Sequence, residues 1–298
     1  MTSDDTTPRI AFLGLGIMGA GMAGRLLGAG FHVTVHNRSA ERTRALESKG
    51  AAVAESPRAA ASRADIVFSM VADDAASRST WDGERGALAG ARPGSVVVEC
   101  STVTVSRVRE LADAAAHAGC PFVDAPVTGS KMQAAAGELL FLVGAENDAL
   151  ERVRPALEAM GKTILHLGPV GSGALVKLIN NFLCGVQAAS LAEAIAVIER
   201  STLDRDRAVQ AIVNGSPGSP VMKTLAGRIL ADDFSPNFYL HLLVKDMGYA
   251  IAEGQSRGVP MATASTALDV LRAAMAHGDG DRDMAAVVQQ FRDTVTVR

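Results

Sequence analysis

Lys177 stands inside an otherwise apolar run, Gly173-Ala-Leu-Val-Lys177-Leu-Ile-Asn180-Asn181. Burial penalises an ammonium and lowers its pKa toward neutrality. An amine tuned in that way can give a proton to an oxygen and take it back. Asn180 and Asn181 follow three and four residues later, so on a helix they share the lysine's face. Polar groups on a buried face need partners, and either a substrate oxygen or a polar network between domains would supply them. A second cluster is Asp124-Ala-Pro-Val-Thr128-Gly129-Ser130-Lys131. The Thr128 hydroxyl and the N–H groups of Gly129 and Ser130 can hold a carboxylate in a backbone nest, although an ordinary strand-to-helix turn has the same composition. A third element, Glu99-Cys-Ser101-Thr102, places hydroxyls after another apolar run.

Near the start, Arg9-Ile-Ala-Phe-Leu-Gly14-Leu15-Gly16-Ile17-Met18-Gly19 runs into a helical stretch, Met22–Ala29. This is GxGxxG in strand–turn–helix context. Gly14 suits the tight turn, Gly16 the close approach of a pyrophosphate, and Gly19 close helix–strand packing. The anion would sit on the helix N-terminus. A glycine-rich turn without a ligand is the plainer alternative. The next apolar run ends in His36-Asn37-Arg38, where an NAD site usually carries an acid for the ribose 2′-hydroxyl. With no carboxylate there, Arg38 can fork onto a 2′-phosphate, helped by Arg42. The sequence therefore predicts NADP over NAD, the alternative being that Arg38 is a solvated strand-end charge.

The elements that must position these groups fall into two halves. Short apolar runs predict strands at Arg9–Leu15, His32–Asn37, Ile66–Met70, Val96–Glu99, Phe122–Asp124, Leu139–Val143 and Thr163–Leu167, with amphipathic stretches between them. Such alternation predicts a parallel sheet covered by helices on both faces. After Gly168-Pro169 the pattern becomes helical. A long run from about Ala174 to Arg200 is apolar on most sides and is expected to be a buried helix. Further helices are expected at Leu203–Asn214, Val221–Ala231, Leu240–Arg257, Ala262–Ala276 and Met284–Val295, with a loop at Asn214–Pro220. The expected fold class is an α/β Rossmann-type, doubly wound parallel sheet followed by an all-α C-terminal domain. The domains are expected at 8–168 and 169–298, the second opening with the long helix.

The chain has 298 residues, 48% of them apolar, and a formal charge of −3, which is globular composition with no basic excess for nucleic acid. The three cysteines, Cys100, Cys120 and Cys184, form no CxxC pair, and the histidines include no HExxH and none at metal-ligand spacing with a cysteine, so reduced thiols and no metal are expected. The opening MTSDDTTP lacks a secretory pattern and no stretch of eighteen residues is uninterruptedly apolar, so no membrane span and a cytoplasmic location are expected.

Four stretches occur together and in this order in one known family: GLGIMGAGMAGRL, DAPVTGSKMQAAAGEL, GALVKLINN and FSPNFYLHLLVKDM. Through them the chain resembles the β-hydroxyacid dehydrogenases, which include 3-hydroxyisobutyrate dehydrogenases and tartronate semialdehyde reductases. The segments HNRS, PVTGSK and F-x-P-x-F are most similar to the NADP-linked glyoxylate/succinic semialdehyde reductases. The resemblance implies hydride transfer between NAD(P) and a short hydroxyacid or its semialdehyde or ketoacid, with Lys177 as catalytic acid and base. It implies that Asn181 places substrate and lysine, that Thr128, Gly129 and Ser130 grip the substrate carboxylate, and that Phe238 lines the pocket. It also implies cofactor contacts at Gly14, Leu15, Gly16, Ile17, Met18, Gly19, Asn37, Arg38, Val71, Ala72, Ala76, Thr102 and Lys245. Asp246 follows Lys245 as in the family and is taken with the substrate side. Homodimers or homotetramers are the family's usual assemblies.

Two positions depart from the family. The grip reads TGS where many members have SGG, and His241 stands where close relatives often carry lysine. Both bear on the substrate rather than the reaction class. Imine reductases share the layout but usually replace the lysine, so Lys177 speaks against that reading. A non-catalytic cofactor-binding partner protein is the rival from another class, and there too the lysine is usually lost. A decarboxylating 6-phosphogluconate dehydrogenase would need a much longer helical domain.

Overall fold

Short runs of valine, isoleucine and phenylalanine build one nine-stranded sheet in the computed structural model, which describes residues 7–292. Residues 1–6, within the polar opening stretch, and 293–298, the end of the last expected helix, lie outside the described residues. The strands are β1 (Ile10–Leu13), β2 (Val33–His36), β3 (Ala52–Val53), β4 (Ile66–Ser69), β5 (Val96–Glu99), β6 (Phe122–Asp124), β7 (Val127–Thr128), β8 (Leu139–Ala145) and β9 (Gly161–Gly168). Their order is β3-β2-β1-β4-β5-β6-β8-β7, with β9 paired to β8. Strands β1 to β6 are parallel. Every residue of β1 and of β5 is buried, as expected of strands covered on both faces. The order reverses at β1, which lies between β2 and β4. In an open α/β sheet that reversal opens a crevice at the carboxyl ends of the strands.

One part of the sheet departs from the all-parallel expectation. Strand β8 runs antiparallel to β6 and to β7. In effect β6 and β7 are one extended run interrupted at Ala125-Pro126, where proline has no N–H to offer a ladder. The Pro126 carbonyl still accepts the Leu142 N–H. The chain then turns back within fifteen residues, too few for a crossover helix of ordinary length. The Thr128–Ser130 loop is therefore the tip of a hairpin-like return. Strand β3, only two exposed residues long, had no apolar run to announce it.

The remaining helices follow their capping residues. The expected start at Leu203 moves to Arg205 because Asp204 accepts the Arg207 N–H. The next begins at Pro220, with Ser219 capping and proline at the first position. Two more span Leu240–Ser256 and Ala262–Ala274. The last expected helix opens as a 3₁₀ turn, Met284–Val288, before a short α segment, Gln289–Arg292. Cys100 and Cys120 are buried and none of the three cysteines forms a disulfide. No group of three or more possible metal ligands exists among the described residues.

The chain divides into two compact units, one reaching Lys177 and one starting at Leu178. The division falls inside the long helix, Ser172–Glu199. This helix is less buried than its composition predicts: Ile179, Leu183 and Val197 are 47%, 50% and 69% exposed. By length and hydropathy alone it could cross a membrane. It carries Lys177, Asn181 and Glu193, and its start is hydrogen-bonded to the sheet.

Candidate active site

The glycine turn has the three geometries that a dinucleotide requires. Gly14 has φ +96°, and a Cβ there would lie 2.3 Å from the Met70 carbonyl oxygen. A Cβ on Gly19 would lie 2.0 Å from the Gly14 carbonyl oxygen, so only glycine lets the helix sit this close to the strand. Around Gly16 the result is the opposite: an added Cβ meets nothing within 4 Å. The following helix, Gly19–Gly28, has no side-chain cap. The N–H groups of Gly16, Ile17 and Met18 donate to no acceptor among the described residues. Open space beside a run of unsatisfied N–H groups at a helix start fits a pyrophosphate. The Leu15 N–H is the exception, since it donates to Asn37 Oδ1 at 2.8 Å.

That bond gives Asn37 a structural reason. Its Nδ2 also donates to the Ser39 carbonyl at 3.0 Å, so the side chain staples the glycine turn to the end of β2. Arg38 and Arg42 are both exposed, and neither has an acidic partner among the described residues.

The loops after β4 and β5 are joined by side chains. The Val71 N–H donates to Ser101 Oγ at 2.7 Å. Asp73 caps the helix Asp74–Trp81 through the Ala76 N–H. Asp74 accepts both the N–H and the hydroxyl of Thr104. Beneath them lies Glu99, fully buried. Its carboxyl accepts from Ser69 Oγ, Ser77 Oγ, Trp81 Nε1 and the Ser101 N–H at 2.6 to 2.9 Å. Val71, Ala76 and Thr102 thus stand on one hydrogen-bonded framework, with Ala72 between Val71 and the Asp73 cap.

In the hairpin tip, Gly129 adopts φ +121°. Ser130 caps the short helix Lys131–Ala136 in a capping box with Gln133. Both the N–H and the hydroxyl of Ser130 donate to Gln133 Oε1. Of the expected grip, the Thr128 hydroxyl and the Gly129 N–H have no acceptor among the described residues.

Lys177 is half-buried on the long helix. One turn on, Asn181 is 2% exposed and its Nδ2 donates to Asp246 Oδ2 at 2.6 Å. Asn180 Nδ2 donates in turn to Asn181 Oδ1. The other Asp246 oxygen lies 2.8 Å from Lys245 Nζ, which also sits 4.9 Å above the Tyr249 ring. Asp246 thus fixes Asn181 through Oδ2, while its buried Oδ1 lies at ion-pair distance from Lys245 but accepts no hydrogen bond among the described residues. Phe238 is held by its backbone: buried Asp283 accepts the N–H groups of Asn237 and Phe238, at 3.0 and 2.9 Å. His241 stacks on Tyr239 and its Nδ1 lies 2.9 Å from the Gly280 carbonyl.

Sequence reasoning passed over Ser69, Ser77, Trp81, Gln133 and Asp283. A signal existed for the first three. A single acid ends the all-valine strand β5, and Ser77 and Trp81 stand one helical turn apart.

Known proteins resemble this chain over nearly its whole length. Residues 9–168 match the NAD-binding domain of 6-phosphogluconate dehydrogenase. Residues 171–291 match the NAD-binding domain of NADP-dependent 3-hydroxyisobutyrate dehydrogenase. A probable mitochondrial 3-hydroxyisobutyrate dehydrogenase-like protein of Arabidopsis thaliana is 34% identical over 97% of this chain and 87% of its own length. An NAD-dependent L-serine dehydrogenase of Pseudomonas aeruginosa is 35% identical over 96% of this chain and 98% of its own. The cytokine-like nuclear factor N-PAC of Gallus gallus is 35% identical over 96% of this chain but only 52% of its own. The solved structure of Mycobacterium tuberculosis 3-hydroxyisobutyrate dehydrogenase with L-serine superposes with a TM-score of 0.86 at 32% identity, covering 96% of this chain and 100% of that one. With its Rossmann sheet, its helical second half and its NAD(P)-binding turn, the chain belongs to the β-hydroxyacid dehydrogenase family.

Proposed function

We propose that this family member is an NADP-preferring dehydrogenase of a short carboxylate-bearing hydroxyacid, with Lys177 as its acid and base. The observation that carries the reading is the lysine itself. It is half-buried on an apolar helix, one turn from an asparagine locked by a buried aspartate. When bound, the nicotinamide cofactor supplies or accepts the hydride. Lys177 donates a proton to the carbonyl oxygen during reduction and removes the hydroxyl proton during oxidation. Asn181, immobilised by Asp246, orients the substrate oxygen and the amine. Thr128 and the Gly129 N–H bind the carboxylate. The Ser130 groups join only if Gln133 yields its place. Gly16, Ile17 and Met18 present N–H groups to the pyrophosphate.

The NADP preference rests on Asn37 and Arg38. Asn37 is turned inward to Leu15, and no carboxylate stands at the end of β2 to repel a 2′-phosphate. Charge-assisted hydrogen bonds are worth about 1.5–3 kcal/mol. Arg38→Asp is therefore expected to lower kcat/KM with NADPH by about 10–100-fold and to leave NADH nearly untouched. Unchanged NADPH affinity in that variant removes Arg38 from the cofactor site.

The exposed apolar residues Ile179, Leu183 and Val197 along the long helix support a homo-oligomer, the family's usual state. The substrate is to be sought among glyoxylate, succinic semialdehyde, methylmalonate semialdehyde and tartronate semialdehyde, with L-serine as the oxidative probe suggested by the Pseudomonas relative. Each is assayed with both cofactors. At least one is expected to oxidise NADPH faster than NADH. The similarity to a nuclear factor keeps a non-catalytic role as the second reading. No turnover across the panel, in protein that still binds NADPH, would favour that role.

A further inference from the structure

Asp124 closes β6 and is fully buried. Its Oδ1 accepts the Gly171 N–H at 2.8 Å and its Oδ2 accepts the Ala174 N–H at 2.8 Å. Ala174 lies in the first turn of the long helix, and Lys177 is three residues further along. A helix start leaves its first N–H groups without intrahelical partners. Here the preceding residue is Gly171, with φ +94° and no side chain to act as a cap. The cap arrives instead from the sheet, 47 and 50 residues back along the chain. The fit is tight on both sides. A Cβ on Gly173 would lie 2.2 Å from the Leu142 carbonyl oxygen and 2.9 Å from Asp124 Oδ2. A Cβ on Gly144 would lie 2.4 Å from Asp124 Oδ1 and 2.9 Å from the Ser172 nitrogen. Neither glycine has a positive φ, so closeness to Asp124 and the helix start is what requires them. Burial pushes the Asp124 carboxyl up to about 6, against the pull of the N–H groups it accepts. At neutral pH it therefore faces the helix N-terminus as an anion, the sign the helix dipole favours.

We propose that Asp124 is a positioning residue for proton transfer: it sets the height and rotation of the long helix's first turn, and through that turn the place of Lys177. The inference rests on the reading of Lys177 given above. Asp124 pairs in register with Glu99, whose loop carries Ser101 and Thr102. One sheet edge thus holds both the cofactor-side framework and the start of the lysine's helix. A misplacement of about 1 Å at a reacting group can cost about 10²-fold in rate.

Asp124→Asn keeps the shape but sets an amide NH₂ against one of two fixed N–H donors. The expected result is faster amide hydrogen exchange over residues 171–177 and a fall in kcat of about 10–100-fold. NADPH affinity and KM for NADPH should stay within about twofold, because the glycine turn is untouched. Val153→Ala, a core truncation in the same unit, serves as the stability control and should keep its kcat. Gly173→Ala disturbs the same contact from the helix side. It should reproduce the phenotype, with less than additive loss in the double variant, and it carries the test alone if Asp124→Asn does not fold. Unchanged exchange over 171–177 overturns the proposal. So does a normal kcat despite faster exchange, or an equal loss of kcat in Val153→Ala. Lys177→Ala is measured alongside. Turnover retained there removes the lysine reading and this inference with it, whereas turnover lost there but kept in Asp124→Asn removes this inference alone.

Discussion

Lys177→Ala is expected to lose about 10²–10⁴-fold in kcat, the usual worth of a positioned general acid or base. NADPH binding should stay at the parent level, because the groups proposed to meet the pyrophosphate and a 2′-phosphate lie on other elements. The rate is read from NADPH absorbance and the affinity from a fluorescence titration of the same preparation. Lys177→Arg separates charge from proton transfer. Arginine keeps the cation but does not give up a proton at accessible pH. If the amine only attracted the substrate electrostatically, arginine would restore much of the rate. If it exchanges a proton, the arginine variant stays near the alanine level. Near-normal turnover in folded Lys177→Ala would remove the lysine from the chemistry.

The parts legible in the sequence were local. The glycine turn was readable because each glycine answers a constraint within a few residues: a φ of +96° at Gly14, a close approach at Gly19, open space at Gly16. Lys177 stands out in the sequence because a charge in an apolar helical run is expensive without a partner, and the structure places it half-buried on the long helix. Helix ends were readable to within a turn, and the caps Asp204 and Ser219 set two of the helix starts where the structure has them. The fixing of the site was not legible. Asp124 reaches 47 and 50 residues along the chain and Asn181 reaches 65 to Asp246. Such pairings depend on topology, which periodicity does not encode. The return of β8 against β6 was hidden for the same reason, since Val127–Thr128 is too short to show alternation. The long helix was expected to be buried because composition counts apolar residues without saying which neighbour covers them. Ser130, expected at the substrate carboxylate, has its N–H and hydroxyl on Gln133, a pairing that the Ser-x-x-Gln spacing of a capping box announces.

Glu99→Gln is expected to destabilise the first unit by about 1–3 kcal/mol, although it changes a single oxygen to nitrogen. Serine hydroxyls can rotate to suit an amide, but two of the donors around this carboxyl cannot. The Ser101 backbone N–H meets Oε1 at 2.9 Å and the Trp81 indole N–H meets Oε2 at 2.9 Å. Whichever way the glutamine turns, its NH₂ faces one fixed N–H, and a buried donor left without its acceptor costs about 1–3 kcal/mol. The two orientations have different signatures. An NH₂ toward Ser101 loosens the loop that holds Val71 through Ser101 Oγ, and NADPH affinity falls. An NH₂ toward Trp81 leaves the indole with Ser69 Oγ at 3.0 Å as its remaining acceptor, and the emission changes. Trp81 is the chain's single tryptophan, so its fluorescence reports this network without interference. Denaturant unfolding followed by that emission should therefore show an earlier midpoint in Glu99→Gln, with either a shifted native spectrum or a weaker NADPH complex. A variant with the parent's midpoint, spectrum and NADPH affinity would mean that the carboxyl is not the acceptor on which the cofactor-side loops are built.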